Sequence, residues 1–187
     1  PVDSEYIIFV IDTSNSMINY NWALVQRKVQ EALQAYPTVK GIQIMNDDGQ
    51  YMFADYAGRW IPDSPGRRQA IINRMRGWYA QSDSNPVDGI QAAIETFWAE
   101  DKKISIYVFG DDFAGSMNID AVVATIDRRN RIQSDGTRRV RIHAVGFPRG
   151  FRGGGEIPRT ASRFATLMRV LCDRNGGTFV ALTDPNR

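Results

Sequence analysis

A chain of 187 residues with 43% apolar and 24% charged side chains can bury one sizeable core, which excludes disorder as the default state. A formal net charge of +2 excludes a polycation, and no apolar run approaches the roughly 20 residues that a membrane-crossing helix needs. The lone Cys172 excludes an internal disulfide; set in an apolar helical pattern, it reads as a core residue rather than a reactive thiol. That absence leans toward an intracellular setting without fixing one. The chain starts on Pro1 with no signal-peptide pattern over residues 1–6, as an excised domain or a processed chain would. Arg greatly outnumbers Lys, and Arg favours planar recognition of carboxylate or phosphate.

Residues 7–11, Ile-Ile-Phe-Val-Ile, form an unbroken apolar run that predicts a strand buried on both faces. It ends on Asp12-Thr13-Ser14-Asn15-Ser16. Val25, Val29, Ala32 and Leu33 then recur at helical intervals, so residues 12–16 are the loop between a buried strand and a helix, where open α/β sheets place ligands. Alternate residues of a short extended loop can point the same way, so Asp12, Ser14 and Ser16 would converge on one point. Hard oxygens of this kind suit Mg2+, Mn2+ or Ca2+, whereas zinc would want His or thiolate. The same residues read equally well as a helix cap, with Ser14 or Ser16 capping and Asp12 accepting from loop amides.

Residues 41–45 alternate as a strand, Asp47-Asp48-Gly49 is turn chemistry, and residues 51–53 return, which predicts a hairpin with one antiparallel strand at the sheet edge. Paired acids beside Gly are a turn first and a metal site second. Residues 57–66 read as a loop and 67–78 as a helix with Ile71, Ile72, Met75 and Trp78 on one face; Trp22, Trp60, Trp78 and Trp98 are expected in core or half-buried positions. A second polar loop, residues 81–86, opens a helix at Val87, with Pro86 in its first turn and Ser84 or Asn85 near the cap. Residues 104–109 form another buried strand, closing on Gly110-Asp111-Asp112. A helix over 117–129, a strand over 140–146, a helix over 161–175 stopped by Gly176-Gly177, and a strand over 178–182 complete the chain. No repeat and no interdomain linker interrupts residues 1–187, which read as one domain.

Alternating strands and helices predict a three-layer α/β/α fold: a doubly wound, mainly parallel, six-stranded sheet with one antiparallel edge strand. Right-handed crossovers put the loops after Ile11, Phe109 and Val145 on one rim.

In this frame the chain resembles a von Willebrand factor type A domain, the integrin I-like module. Asp12-Thr13-Ser14-Asn15-Ser16 is similar to that family's D-x-S-x-S opening of the metal-ion-dependent adhesion site. Ser84, five residues before the small Gly89, stands where the family usually has Thr, and Gly110-Asp111-Asp112 resembles its T-D-G, with Asp111 matching the acid. The resemblance implies a cation, Mg2+ or else Mn2+ or Ca2+, touched directly by Ser14, Ser16 and Ser84, with Asp12 and Asp111 acting through bound waters. It further implies a position left open for an Asp or Glu carboxylate of a partner protein, and a recognition or adhesion role rather than an enzymatic one.

Specificity is expected from the loop at residues 146–156, Gly-rich with Arg and Phe, where Phe147, Arg149, Phe151 and Arg152 are the expected partner contacts. A mobile connector with incidental Arg is the competing reading of that loop. Nucleic-acid binding through Arg128, Arg129, Arg131, Arg138, Arg139 and Arg141 is the alternative function; these residues fall at a helix C-terminus and a strand start, on the opposite rim, where cations complement helix ends. Catalysis has little to work with. His143, the single histidine, sits in an apolar strand, and a phosphatase-like use of Asp12 as nucleophile would want an acid where Ser14 stands.

Overall fold

Strand β1 (Tyr6–Ile11) is the spine of the molecule, paired in parallel with β2 (Gly41–Asn46) on one side and β4 (Ile104–Gly110) on the other. The structure, a computed structural model, describes residues 3–148 and 159–183. With β3 (Ile61–Pro62), β5 (Val140–Gly146) and β6 (Phe179–Ala181), the sheet runs β3-β2-β1-β4-β5-β6, all parallel except β3.

Side chains alternate across a strand, so an unbroken apolar run requires cover on both faces. Ile7, Phe9 and Ile11 pack with α1 (Trp22–Gln34) and α2 (Pro65–Met75), whereas Ile8 and Val10 pack with α3 (Pro86–Phe97), α4 (Ile119–Arg129) and α5 (Arg159–Arg174). Polar caps start the helices. Ser64, Asn85 and Asn118 each accept a backbone N–H of the following turn, with Pro65 and Pro86 entering first turns where no N–H is required. Cys172 is buried in α5, where lost solvation pushes its thiol up to about 12.

The expected three-layer architecture is present, but the antiparallel edge is not where the sequence put it. Residues 51–53 make only one bridge to β2, at Met45 and Tyr51, and the chain then curls through a short turn at Ala54–Tyr56. The fully buried Gln43 is the reason: its Nε2 donates to the carbonyls of Tyr56 and Arg59 at 2.9 and 2.7 Å, anchoring a loop against β2. The edge strand is Ile61–Pro62, inside the stretch read as a loop, where a proline lacking an N–H is tolerated. Gly41 makes room for it, since a Cβ there would lie 2.9 Å from Cβ of Trp60.

Candidate functional site

The carboxyl ends of β1, β2 and β4 lie side by side. Asp12 is 3% exposed, its N–H donates to Phe109 O at 2.8 Å, and its Oδ1 accepts the Ser14 N–H at 2.8 Å. Ser14 Oγ and Ser16 Oγ are 3.1 Å apart, and Ser16 makes no side-chain cap to the π-helical turn at Met17–Asn21 that it precedes. Asp12 therefore does bond a loop amide, while the two hydroxyls face each other instead of capping.

The second loop is tied to the first. The Thr13 N–H donates to Ser82 Oγ at 3.1 Å, and the Asn85 N–H donates to Oδ2 of Asp47, the residue following β2, at 2.9 Å. Between them Ser84 has φ +55°, the one non-glycine in the left-handed region among the described residues. Its carbonyl accepts the Ala114 N–H of the third loop at 3.1 Å. That third loop begins with the buried Asp111 and Asp112, the latter accepting the Phe113 N–H at 2.8 Å. At the first position of Gly110-Asp111-Asp112 the Phe164 ring packs against the backbone: a Cβ on Gly110 would lie 2.9 Å from Cε2 of that ring, so a threonine there would require the ring to shift.

Burial raises the Asp12 pKa above the usual carboxylate range, and the charges of Asp47 and, more weakly, Asp111 push it the same way against the opposing bonds from Ser14. Asp47 is raised too, first by burial and also by Asp48, with Ser82 and the Asn85 N–H opposing. Among the described residues neither acid forms an ion pair with Lys or Arg, and Asp12 Oδ2 and Asp47 Oδ1 are buried without a hydrogen-bond partner. Buried carboxylates are costly unless paired or coordinated to a cation. No group of three or more His, Cys, Asp and Glu side chains among the described residues could hold a metal by itself. The donor set here is instead mixed, hydroxyls with carboxylates, which suits a hard divalent cation and not a soft one.

Of the five residues expected at the metal, Asp12, Ser14 and Ser16 are joined within one loop. Asp111 acts electrostatically on Asp12, and Ser84 sits on a loop bonded to both others. Asp47, set aside by sequence reasoning as a turn residue, is 1% exposed and adjoins Asp12; its place directly after a strand paired with β1 was the available signal.

The expected partner contacts fare differently. Phe147 is buried at 5% exposure, its ring 5.5 Å from Phe109, because it continues β5 alongside β4 with its N–H donating to Gly110 O at 2.8 Å. It is a core residue, not a rim contact. Arg149, Phe151 and Arg152 lie outside the described residues. Among the described residues, large exposed apolar side chains are Tyr20, Tyr79 and Met117, near Ser16, Ser84 and Asp111 in the chain respectively, and Ile132 and Val180, which are not near a site motif. No sequence period marks the first three.

At the opposite end, a polar groove of about 750 Å³ is lined by Lys102, Lys103, Arg138, Arg139, Arg141 and Arg174 among others. Most of the arginines of the alternative reading are engaged. Arg129 pairs with Glu95, Arg138 with Asp127 and Arg141 with Asp3, while Arg139 lies over the Trp98 ring and donates to Arg129 O. His143 stacks on Tyr107 at 4.8 Å and accepts the Thr178 N–H through Nδ1.

Neither a family model nor a curated protein sequence matches the chain. Solved structures do. A von Willebrand factor type A protein from Catenulispora acidiphila superposes with a TM-score of 0.67 at 14% identity, over 98% of this chain but only 39% of that one. The conserved hypothetical protein BatB from Bacteroides thetaiotaomicron gives 0.59 at 12% identity, over 95% of this chain and 89% of that one. An aerotolerance-related membrane protein from Bacteroides fragilis gives 0.58 at 12% identity, over 97% and 92%. At these identities the likeness establishes a fold of von Willebrand factor type A kind.

Proposed function

We propose that this chain is a divalent-cation-dependent protein-recognition module and not an enzyme. The observation that carries the reading is the buried Asp12 with one oxygen unpartnered, beside Ser14 and Ser16 and near further acids, with no Lys or Arg paired to it among the described residues. A cation at this point would be held directly by Ser14, Ser16 and Ser84, with Asp12 and Asp111 reaching it through water. Bound there, Mg2+ or Mn2+ would supply an under-compensated positive charge to which an Asp or Glu of a partner protein can add a charge-assisted contact. Tyr20, Tyr79 and Met117 supply exposed apolar side chains within a few residues of the site motifs in the sequence, the kind of side chain enriched at interfaces.

Two measurements test this. Mn2+ titration followed by electron paramagnetic resonance should give one site in the wild type and none in Asp12→Ala. Partner capture should be lost in chelator and in that variant alike. Recovery of the same proteins with and without chelator sinks the reading.

One observation favours a second function, the groove with six cations at the far end. Its ion pairs and helix-end contacts give those cations structural work, so polyanion binding ranks second. Binding of RNA or DNA that is steeply salt-dependent and blind to chelator would reverse the order.

A further inference from the structure

The register of β1 on β2 sets Ile11 beside Asn46, so Asp12 and Asp47 follow as neighbours one residue beyond the paired strands. The Asp47 N–H donates to Ile11 O at 3.1 Å, and its carbonyl accepts the Gly89 N–H at 2.7 Å. Residues two positions back, Val10 and Met45, both belong to the core under α3, so alternation carries the two acids toward the same face. Each carboxylate then divides its work the same way. Asp12 gives Oδ1 to the Ser14 amide, Asp47 gives Oδ2 to the Asn85 amide, and each keeps its other oxygen buried without a hydrogen-bond partner. Two such oxygens on adjacent strand ends, with no Lys or Arg ion-paired to either acid among the described residues, are an environment that a cation would suit.

We infer that Asp47 is a third carboxylate of the cation centre, positioning the Ser84 loop through Oδ2 and strengthening the hold on a divalent cation through its charge, without touching the cation directly. The inference rests on the cation reading above and adds to it the residue directly after β2, outside the D-x-S-x-S, Ser84 and Asp111 segments. Indirect action fits the absence, among the described residues, of three acids grouped tightly enough to ligate together.

Asp47→Asn separates charge from positioning, because an asparagine oxygen can still accept the Asn85 N–H. By Coulomb's law, losing a unit charge at outer distance should weaken Mn2+ binding roughly tenfold or more, and should weaken Tb3+ more than Mn2+. A purely structural loosening would scale both ions alike. In chelator the Asn variant should melt at or above the wild type, having lost a buried charge. If the wild type binds no Mn2+, the cation reading itself fails. If the wild type binds and Asp47→Asn binds equally well, or loses Mn2+ and Tb3+ in equal proportion, Asp47 is a loop clamp only and the inference is overturned. An Asn variant that fails to fold, or melts below wild type in chelator, overturns it as well.

Discussion

Ser84 holds a left-handed backbone conformation that costs a non-glycine residue about 1 kcal/mol or more, and the Asn85–Asp47 and Ala114–Ser84 bonds hold it there. Glycine would relieve that cost, so Ser84→Gly should leave thermal stability unchanged or higher by about 1 kcal/mol while Mn2+ affinity falls. A variant that loses both would mean the hydroxyl serves the fold and not the site. His143 tests the core by pH. Burial, with Arg141 adding, lowers its pKa below the ordinary 6.5, and its ring faces Tyr107 and Thr178. Below about 6.5 the unfolded chain gains a proton that the folded one resists, so this contribution is whole above that pH and is lost as pH falls. Denaturation midpoints taken from pH 7.5 to 5.5 should therefore fall less steeply in His143→Gln than in wild type. At this scale the sequence placed Asp12, Ser14 and Ser16 in the loop after β1 and Asp111 directly after β4, because each follows an apolar run that fixes its position. Asp47 was hidden by Asp48 and Gly49, which carry the same turn chemistry whether or not the first acid is buried.

Helix α3 lies so close on β1 and β2 that a Cβ at Gly89 would meet Val10 Cγ1 at 2.7 Å and the carbonyls of Asn46 and Asp47 at 2.8 Å. Backbone atoms cannot yield as a flexible side chain does. Gly89→Ala should cost about 1–3 kcal/mol by overpacking and, because Ser84 precedes the same helix, should weaken Mn2+ binding as well. Calorimetry with and without Mn2+ checks both; an alanine variant with wild-type stability would mean that α3 shifts freely. This contact also supplies the physical content of the small residue five places after the hydroxyl in the second loop. Strand β1 was legible because two-sided burial writes an uninterrupted apolar run, and β4 and β5 because apolar residues dominate them although Ser105, Arg141 and His143 break the run. Strand β3 was not, since two residues carry no period and its pairing depends on Gln43 and Trp60 anchoring a loop from a distance. Phe147 misled for a related reason: beside Gly and Arg it reads as loop, yet one further bond to Gly110 extends the β5 pairing and draws it into the core.

The two ends of the sheet differ in how their charges are held: Asp12 and Asp47 are buried at the carboxyl end with no Lys or Arg paired to them among the described residues, whereas at the other end Lys103, Arg138, Arg141 and Arg174 are ion-paired. Three strand-end loops meet at the acidic end, so a cation bound there joins the centre of the sheet, and its binding energy must appear as folding stability by mass action. At a hundredfold excess over the dissociation constant that stabilisation is about 2.7 kcal/mol. For a chain of this size it corresponds to a rise in melting temperature of about 5–10 °C. The metal-free wild type carries the cost of its buried acids, so Asp12→Asn, which can still accept the Ser14 amide, should melt above wild type in chelator and gain nothing from Mg2+. The two melting curves should therefore change order when Mg2+ replaces chelator. NaCl at matched ionic strength should not reproduce the effect, because screening weakens exposed pairs far more than it compensates a buried carboxylate. An equal Mg2+ increment in both proteins would place the cation elsewhere on the molecule and leave Asp12 as a loop residue alone.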